Sequence, residues 1–125
     1  MNPIDFYFDF SSPYGYLAAN RIEALAAKHG RTVRWRPILL GVVFKQTGAA
    51  PLTQVPVKGP YSKHDFARSA RFHGVEFAMP PVFPIPTQNA ARIFWWLHET
   101  RGEEAAHGWG QAGLRAVFTR GIVPS

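Results

Sequence analysis

The first 38 residues constrain the fold more than any other part of this 125-residue chain. Ile4–Phe10 reads I-D-F-Y-F-D-F, so Ile4, Phe6, Phe8 and Phe10 alternate with Asp5, Tyr7 and Asp9. A period of two rich in aromatic residues predicts a strand. Ser12-Pro13 follows: a preferred helix cap, then a residue whose missing N–H would be unpaired at the first helical position anyway. Pro13–His29 carries Leu17, Ala18, Ile22, Leu25 and Ala26 at helical spacing, and Gly30 stands where a helix is expected to stop. Thr32–Ile38 alternates again, with Val33 and Trp35 on one face and Arg34 and Arg36 on the other. Strand, helix and strand in this order make a βαβ unit with parallel strands and a right-handed crossover.

Beyond it the pattern turns helical. Leu40–Pro60 contains Gly41, Gly48, Pro51, Pro56, Gly59 and Pro60 and reads as a long loop with one helical turn at Val42–Gln46. Loops of this length are usually functional. Tyr61–Phe72 is expected to be a helix ending near Gly74, and Pro80, Pro81, Pro84 and Pro86 impose an extended connection. Thr87 is placed to cap a helix running to about Arg101, with Ala90, Ala91, Phe94, Trp95 and Leu97 as its apolar side. A last helix, Glu103–Thr119, is interrupted by Gly108, Gly110 and Gly113, and the tail Arg120–Ser125 is expected to fray.

Composition removes several function classes. The chain is 46% hydrophobic and 18% charged, which is incompatible with a disordered tail. It has no cysteine, which excludes disulfide frameworks, thiolate metal sites and a cysteine nucleophile, so any thiol chemistry must borrow its sulfur from a small molecule. The five histidines show no metal-ligand spacing, and no metal is expected. Met1–Phe10 lacks the basic region of a signal peptide, and no apolar stretch suits a bilayer, so the expected location is the cytoplasm.

The net charge of +6 is uneven: −2 over residues 1–27, +8 over 28–73 and zero over 74–125. The central field would attract anionic ligands. It also invites a nucleic-acid reading, but the basic residues are dispersed and no recognition motif accompanies them, so no nucleic-acid partner is expected.

The sharpest local feature is Asp9-Phe10-Ser11-Ser12-Pro13-Tyr14-Gly15 at the strand-to-helix junction. A hydroxyl capping a helix lies beside the unpaired N–H groups of the first turn, where negative charge is favoured. A thiolate brought there would be stabilised as cysteine thiolates are at helix N-termini, and Ser12 could donate to its sulfur. Ser12 alone is also a common cap. Its place in the chain matters because Ser12-Pro13-Tyr14-Gly15 occupies the slot where thioredoxin-like proteins carry Cys-Pro-x-Cys.

The run F-Y-F-D-F-S-S-P-Y-G-Y-L resembles the opening of the 2-hydroxychromene-2-carboxylate isomerases and their relatives, the kappa-class glutathione transferases. Both are glutathione-dependent members of the thioredoxin-like, DsbA-related group. Three further stretches match in order: Arg36–Gly48; Pro56-Val57-Lys58-Gly59-Pro60-Tyr61 with Asp65 and Arg68; and Phe83-Pro84-Ile85-Pro86-Thr87. They do not separate isomerase from transferase. The resemblance implies an α/β, thioredoxin-like (DsbA-like) fold, with residues 1–40 as its N-terminal βαβ unit and 41–125 as a loop and inserted α-helical subdomain. It implies glutathione as cofactor, with Ser12 as the catalytic contact to its sulfur and Lys58 as a further glutathione contact. The family's loop asparagine falls at Ala49, and Pro86 replaces the asparagine before Thr87.

The isomerase resemblance implies reversible addition of the glutathione thiolate to a conjugated aromatic-derived carboxylate; the transferase resemblance implies conjugation of an electrophile. Tyr14, following the Ser-Pro pair, is a candidate wall of the substrate pocket. The second half of such a fold, comprising two strands, a final helix and a cis-Pro loop, is expected to be missing, as in a truncated reading frame or a fragment. An inactive thioredoxin-like scaffold that binds a partner is therefore a further reading.

Three other readings complete the set. Asp5 and Asp9 are expected on the solvated side of an edge strand, with orientation of the first helical turn as a lesser role for Asp9. Phe94, Trp95 and Trp96 suit a core or a dimer interface better than a substrate pocket. A homodimer is accordingly an open expectation.

Overall fold

The computed structural model describes residues 2–122. Strand β1 (Ile4–Phe8) pairs in parallel with β2 (Val33–Pro37), in a register running from Ile4 opposite Val33 to Phe8 opposite Pro37. Helix α1 (Pro13–Lys28) makes the crossover between them. The pleat sends Phe6, Phe8 and Trp35 to one face, where their rings meet edge-on or stacked with centroids about 5.3 Å apart. The opposite face carries Asp5, whose carboxylate accepts from both Arg34 and Arg36. β1 is shorter than its alternating pattern: pairing stops at Phe8, and Phe10 and Asp9 turn into the interior. Asp9 is thus buried, not solvated.

α1 begins as its sequence dictates. Ser12 is the cap, its Oγ accepts from the Gly15 N–H at 3.0 Å, and Pro13 opens the helix. The buried stripe differs from the predicted one. Tyr16 and Ala19 are inside, while Ala18 and Leu25 face out. Tyr16 decides this rotation: its ring lies against Phe77 and Phe118, and its hydroxyl donates to the Glu76 carbonyl.

The predicted long loop is largely helical. It contains α2 (Leu40–Thr47), a 3₁₀ turn (Leu52–Gln54) and the start of α3 (Lys58–His73). α3 starts three residues earlier than its pattern, because Pro60 falls in the first turn, where no N–H is needed. Gly59 allows it to pack on the 3₁₀ turn, since a Cβ there would lie 2.5 Å from the Thr53 carbonyl oxygen. α4 (Gln88–Arg101) and α5 (Glu103–Arg115) then pack on the aromatic face of the sheet. α5 is continuous through its glycines, and Gly110 has a reason: a Cβ would meet the Trp35 ring at 3.2 Å and the Phe94 ring at 3.4 Å. A π-turn (Ala116–Arg120) ends the helix short of Thr119 and buries Ala116, Val117 and Phe118. Of the predicted frayed tail, Arg120 closes this turn, and residues 123–125 lie outside the described residues.

Phe94 is core, and Trp95 is half-buried with its Nε1 donating to the Pro37 carbonyl; only Trp96 is largely exposed. Among the described residues no helix is long and apolar enough to cross a membrane.

Candidate active site

Where β1 hands over to α1, one buried carboxylate organises the surroundings. Asp9 Oδ1 accepts from the Ser11 N–H at 2.8 Å, the Ser11 hydroxyl at 2.9 Å and the Thr87 hydroxyl at 3.1 Å. Its Oδ2 accepts from the Leu40 N–H at 2.8 Å. The same side chain therefore holds the β1–α1 turn, the first residue of α2 and the residue before α4. Thr87 sits at the α4 cap position as predicted, but its hydroxyl makes no cap bond and serves Asp9 instead.

These segments surround an open cavity of about 490 Å³. Its floor is the Ser11–Tyr14 turn, and its walls are mostly apolar: Leu39 to Phe44 from the α2 side, Leu52 from the 3₁₀ turn, and Phe83–Ile85 from the proline-rich connection, in which the Phe83–Pro84 bond is cis. Ser12 lies on this floor with one hydrogen-bond capacity unspent. Its Oγ accepts from Gly15, and its own O–H has no acceptor among the described residues. A donor hydroxyl at a helix N-terminus beside an apolar cavity can stabilise an anion there.

Tyr14 also lines the cavity. Its ring packs edge-on against Phe66 at 4.7 Å, and its hydroxyl donates to Asp65 Oδ2 at 2.6 Å. Arg68 holds the other carboxylate oxygen through Nη2 at 2.6 Å and Nε at 3.0 Å. Partial burial, then the neighbouring Asp65, pushes the Tyr14 phenol up to about 12. The Tyr14 hydrogen bond and Arg68 hold the Asp65 carboxyl below the usual carboxylate range.

The sign follows from linkage. A raised phenol pKa contributes stability that is complete below about pH 10 and is lost as pH rises towards 12; a lowered carboxyl pKa contributes stability that is complete above about pH 4 and is lost as pH falls through the folded-state value. Tyr14→Phe should therefore lower the urea midpoint by a constant amount from pH 5 to 9. The gap from wild type should close at both extremes.

The other predicted site residue, Lys58, is exposed at the start of α3 and is not part of the cavity lining. Its neighbour Gly59 packs on the carbonyl of Thr53, which is itself a lining residue. Sequence reasoning missed Lys45, which does line the cavity, and gave Asp9 too small a part. The four-residue spacing from Asp5 suggested one shared, solvated face, and nothing in the sequence announces the distant Leu40 and Thr87. His107 and His98 lie elsewhere, close to Glu23 and Glu103, and no cluster of three or more metal-ligating side chains occurs among the described residues.

The DsbA-like thioredoxin domain family matches residues 3–125. The chain belongs to this family. The DsbA-like chain is 35% identical to the 2-hydroxychromene-2-carboxylate isomerase of Pseudomonas putida over 123 residues, which cover 97% of it and 58% of that protein. It is 37% identical to glutathione S-transferase kappa 1 of Caenorhabditis elegans over 81 residues, 64% of this chain and 36% of that protein. A solved 2-hydroxychromene-2-carboxylate isomerase superposes with a TM-score of 0.81 at 31% identity, covering 98% of this chain and 59% of that one. The DsbA-like chain therefore spans less than two-thirds of the length of these relatives. The fold class is the thioredoxin-like, DsbA-like α/β fold, and the relatives are isomerases and glutathione transferases.

Proposed function

We propose that this DsbA-like chain carries the thiol-binding site of a glutathione-dependent 2-hydroxychromene-2-carboxylate isomerase-like enzyme. The observation that carries the reading is the Ser12 hydroxyl, with its proton unspent, at the α1 N-terminus on the floor of an apolar cavity. The residues present fit the sulfur end of glutathione: a neutral donor and a helix N-terminus beside the cavity for a sulfur anion. When bound, glutathione supplies a thiolate nucleophile, which the cysteine-free chain itself lacks.

Ser12 holds the sulfur by donating its O–H while Gly15 keeps the oxygen in place. Lys58, exposed at the start of α3, would pair with a glutathione carboxylate. Asp9 keeps Ser11 and the α2 start fixed, so the donor is oriented before ligand arrives. The apolar walls and the Tyr14 ring would accept the ring of an aromatic-derived carboxylate. Conjugation of an electrophile at the same Ser12 is the second reading, favoured by the kappa-class match. The partners proposed are small molecules.

A thermal unfolding scan with and without glutathione tests the reading. A ligand at ten times its Kd stabilises the native state by about 1.4 kcal/mol, which for a domain of this size raises Tm by about 5 °C. Ser12→Ala should remove that rise. A midpoint indifferent to glutathione in the wild type rules the reading out.

A further inference from the structure

We propose that the outer face of α3 is a docking surface for an anionic lipid bilayer. α3 closes the stretch 28–73 that carries a net charge of +8. Val57, at its cap, is 83% exposed, Phe72 80% and Tyr61 60%. Steps of four and eleven residues, from Val57 to Tyr61 and from Tyr61 to Phe72, put all three on one side of the helix. The other side is spent on the interior through Ser62, Phe66 and Ala70. The exposed side carries charge of one sign. Lys58, Lys63 and Arg71 are exposed and have no ion-pair partner among the described residues. Asp65, the sole acid of α3, is buried, with its oxygens held by Tyr14 and Arg68.

Shape and charge together select the partner. Val57 and Phe72 stand about four turns apart, at opposite ends of the helix. None of the three apolar side chains lines the cavity described above or either of two smaller ones. Isolated, protruding side chains give a folded protein no groove to fill. A bilayer surface yields around each of them, and tyrosine is favoured at the headgroup level. Anionic headgroups meet the unpaired cations of the same helix. A second copy of this face would set like charges against each other. A nucleic acid would satisfy the cations and leave Val57 and Phe72 in water.

The test is co-sedimentation of the purified chain with phosphatidylcholine vesicles in which about a third of the lipid is phosphatidylserine, and with vesicles of phosphatidylcholine alone. Wild type should bind the anionic vesicles about tenfold more strongly, and added salt should weaken that binding. Arg71→Glu should weaken it about tenfold, and Phe72→Ser about fivefold. Arg92→Glu and Trp96→Ser are the controls. Both residues are exposed on α4, and they repeat the change of charge and the loss of an aromatic ring without touching α3. Binding by these two should stay as in wild type. Circular dichroism checks that each variant is folded.

Binding lost in both α3 variants and kept in both α4 variants upholds the proposal. No binding by wild type, equal binding to the two lipid compositions, or binding indifferent to Phe72→Ser overturns it. So does an Arg92→Glu variant that weakens binding as much as Arg71→Glu, since net charge alone would then account for it. Filter retention of a single-stranded oligonucleotide without vesicle binding assigns the cations to nucleic acid and overturns it too. Glutathione is absent throughout, so the outcome is separate from that of the glutathione-dependent reading.

Discussion

Asp9→Ala should lower the unfolding free energy by about 3–5 kcal/mol, because it strips a buried acceptor from four donors on three segments. Hydrogen bonds to a charged group contribute about 1.5–3 kcal/mol each, and the two Ser11 donors recover part of theirs from water. The Leu40 N–H and Thr87 hydroxyl, 78 residues from Asp9 in the second case, are left without their acceptor. Against a total stability of about 5–15 kcal/mol this is a severe loss. Asp9→Asn keeps the shape but presents an amide donor to at least one N–H or O–H, so an intermediate loss of about 2 kcal/mol is expected. Urea titrations followed by circular dichroism measure both. Asp5→Ala is the control: its carboxylate sits on the exposed sheet face with two arginines, and such surface pairs contribute little. A midpoint for Asp9→Ala equal to that of Asp5→Ala would refute the role assigned to Asp9.

Ser12→Ala should reduce glutathione-dependent turnover at least a hundredfold, the usual effect of removing one donor to a developing or bound anion. It also removes the acceptor for the Gly15 N–H, a cap loss of about 1 kcal/mol. The two roles can be separated. Ser12→Asp keeps a capping oxygen, so the fold should hold, but sets a negative charge where the sulfur anion must sit. It should be as inactive as the alanine variant while unfolding near the wild-type midpoint. Turnover is read with an aryl carboxylate for isomerisation and with an electrophile for conjugation, and thiolate formation is read by its ultraviolet absorbance. Activity retained in both variants would take Ser12 out of the chemistry.

The two variants probe different layers of one site, and the sequence revealed those layers unequally. Ser12-Pro13 was legible because capping is local: the residue, the proline after it and the helical period that follows all lie within one turn of each other. The βαβ unit was legible for the same reason, since alternation in Ile4–Phe8 and Val33–Pro37 and the helix between them specify direction and handedness together. Asp9 was misread because burial is not local. Its sequence neighbours place it at the end of an alternating strand, and only the arrival of Leu40 and Thr87 makes it an interior hub.

The region from Leu40 to Pro60 shows the same division. Its glycines and prolines read as a loop with one helical turn at Val42–Gln46; that turn belongs to the longer helix α2, its first N–H held by Asp9 and its end closed by Gly48 in the left-handed region. Local propensity is a weak term, and tertiary contacts, among them the Asp9 acceptor for the Leu40 N–H, support this eight-residue helix. Likewise, the helix expected from Glu103 is not interrupted by its glycines, and at Gly110 the Trp35 and Phe94 rings fill the space a Cβ would need.

By itself, then, the sequence determined the family, the parallel βαβ start and the candidate thiol-binding serine, because each is written in spacing within a few turns of chain. The tertiary structure alone decided that Asp9 ties three segments together, that Tyr14 is engaged with Asp65 and that Lys45, not Lys58, lines the cavity. Those are meetings of residues tens of positions apart, and no local periodicity records them.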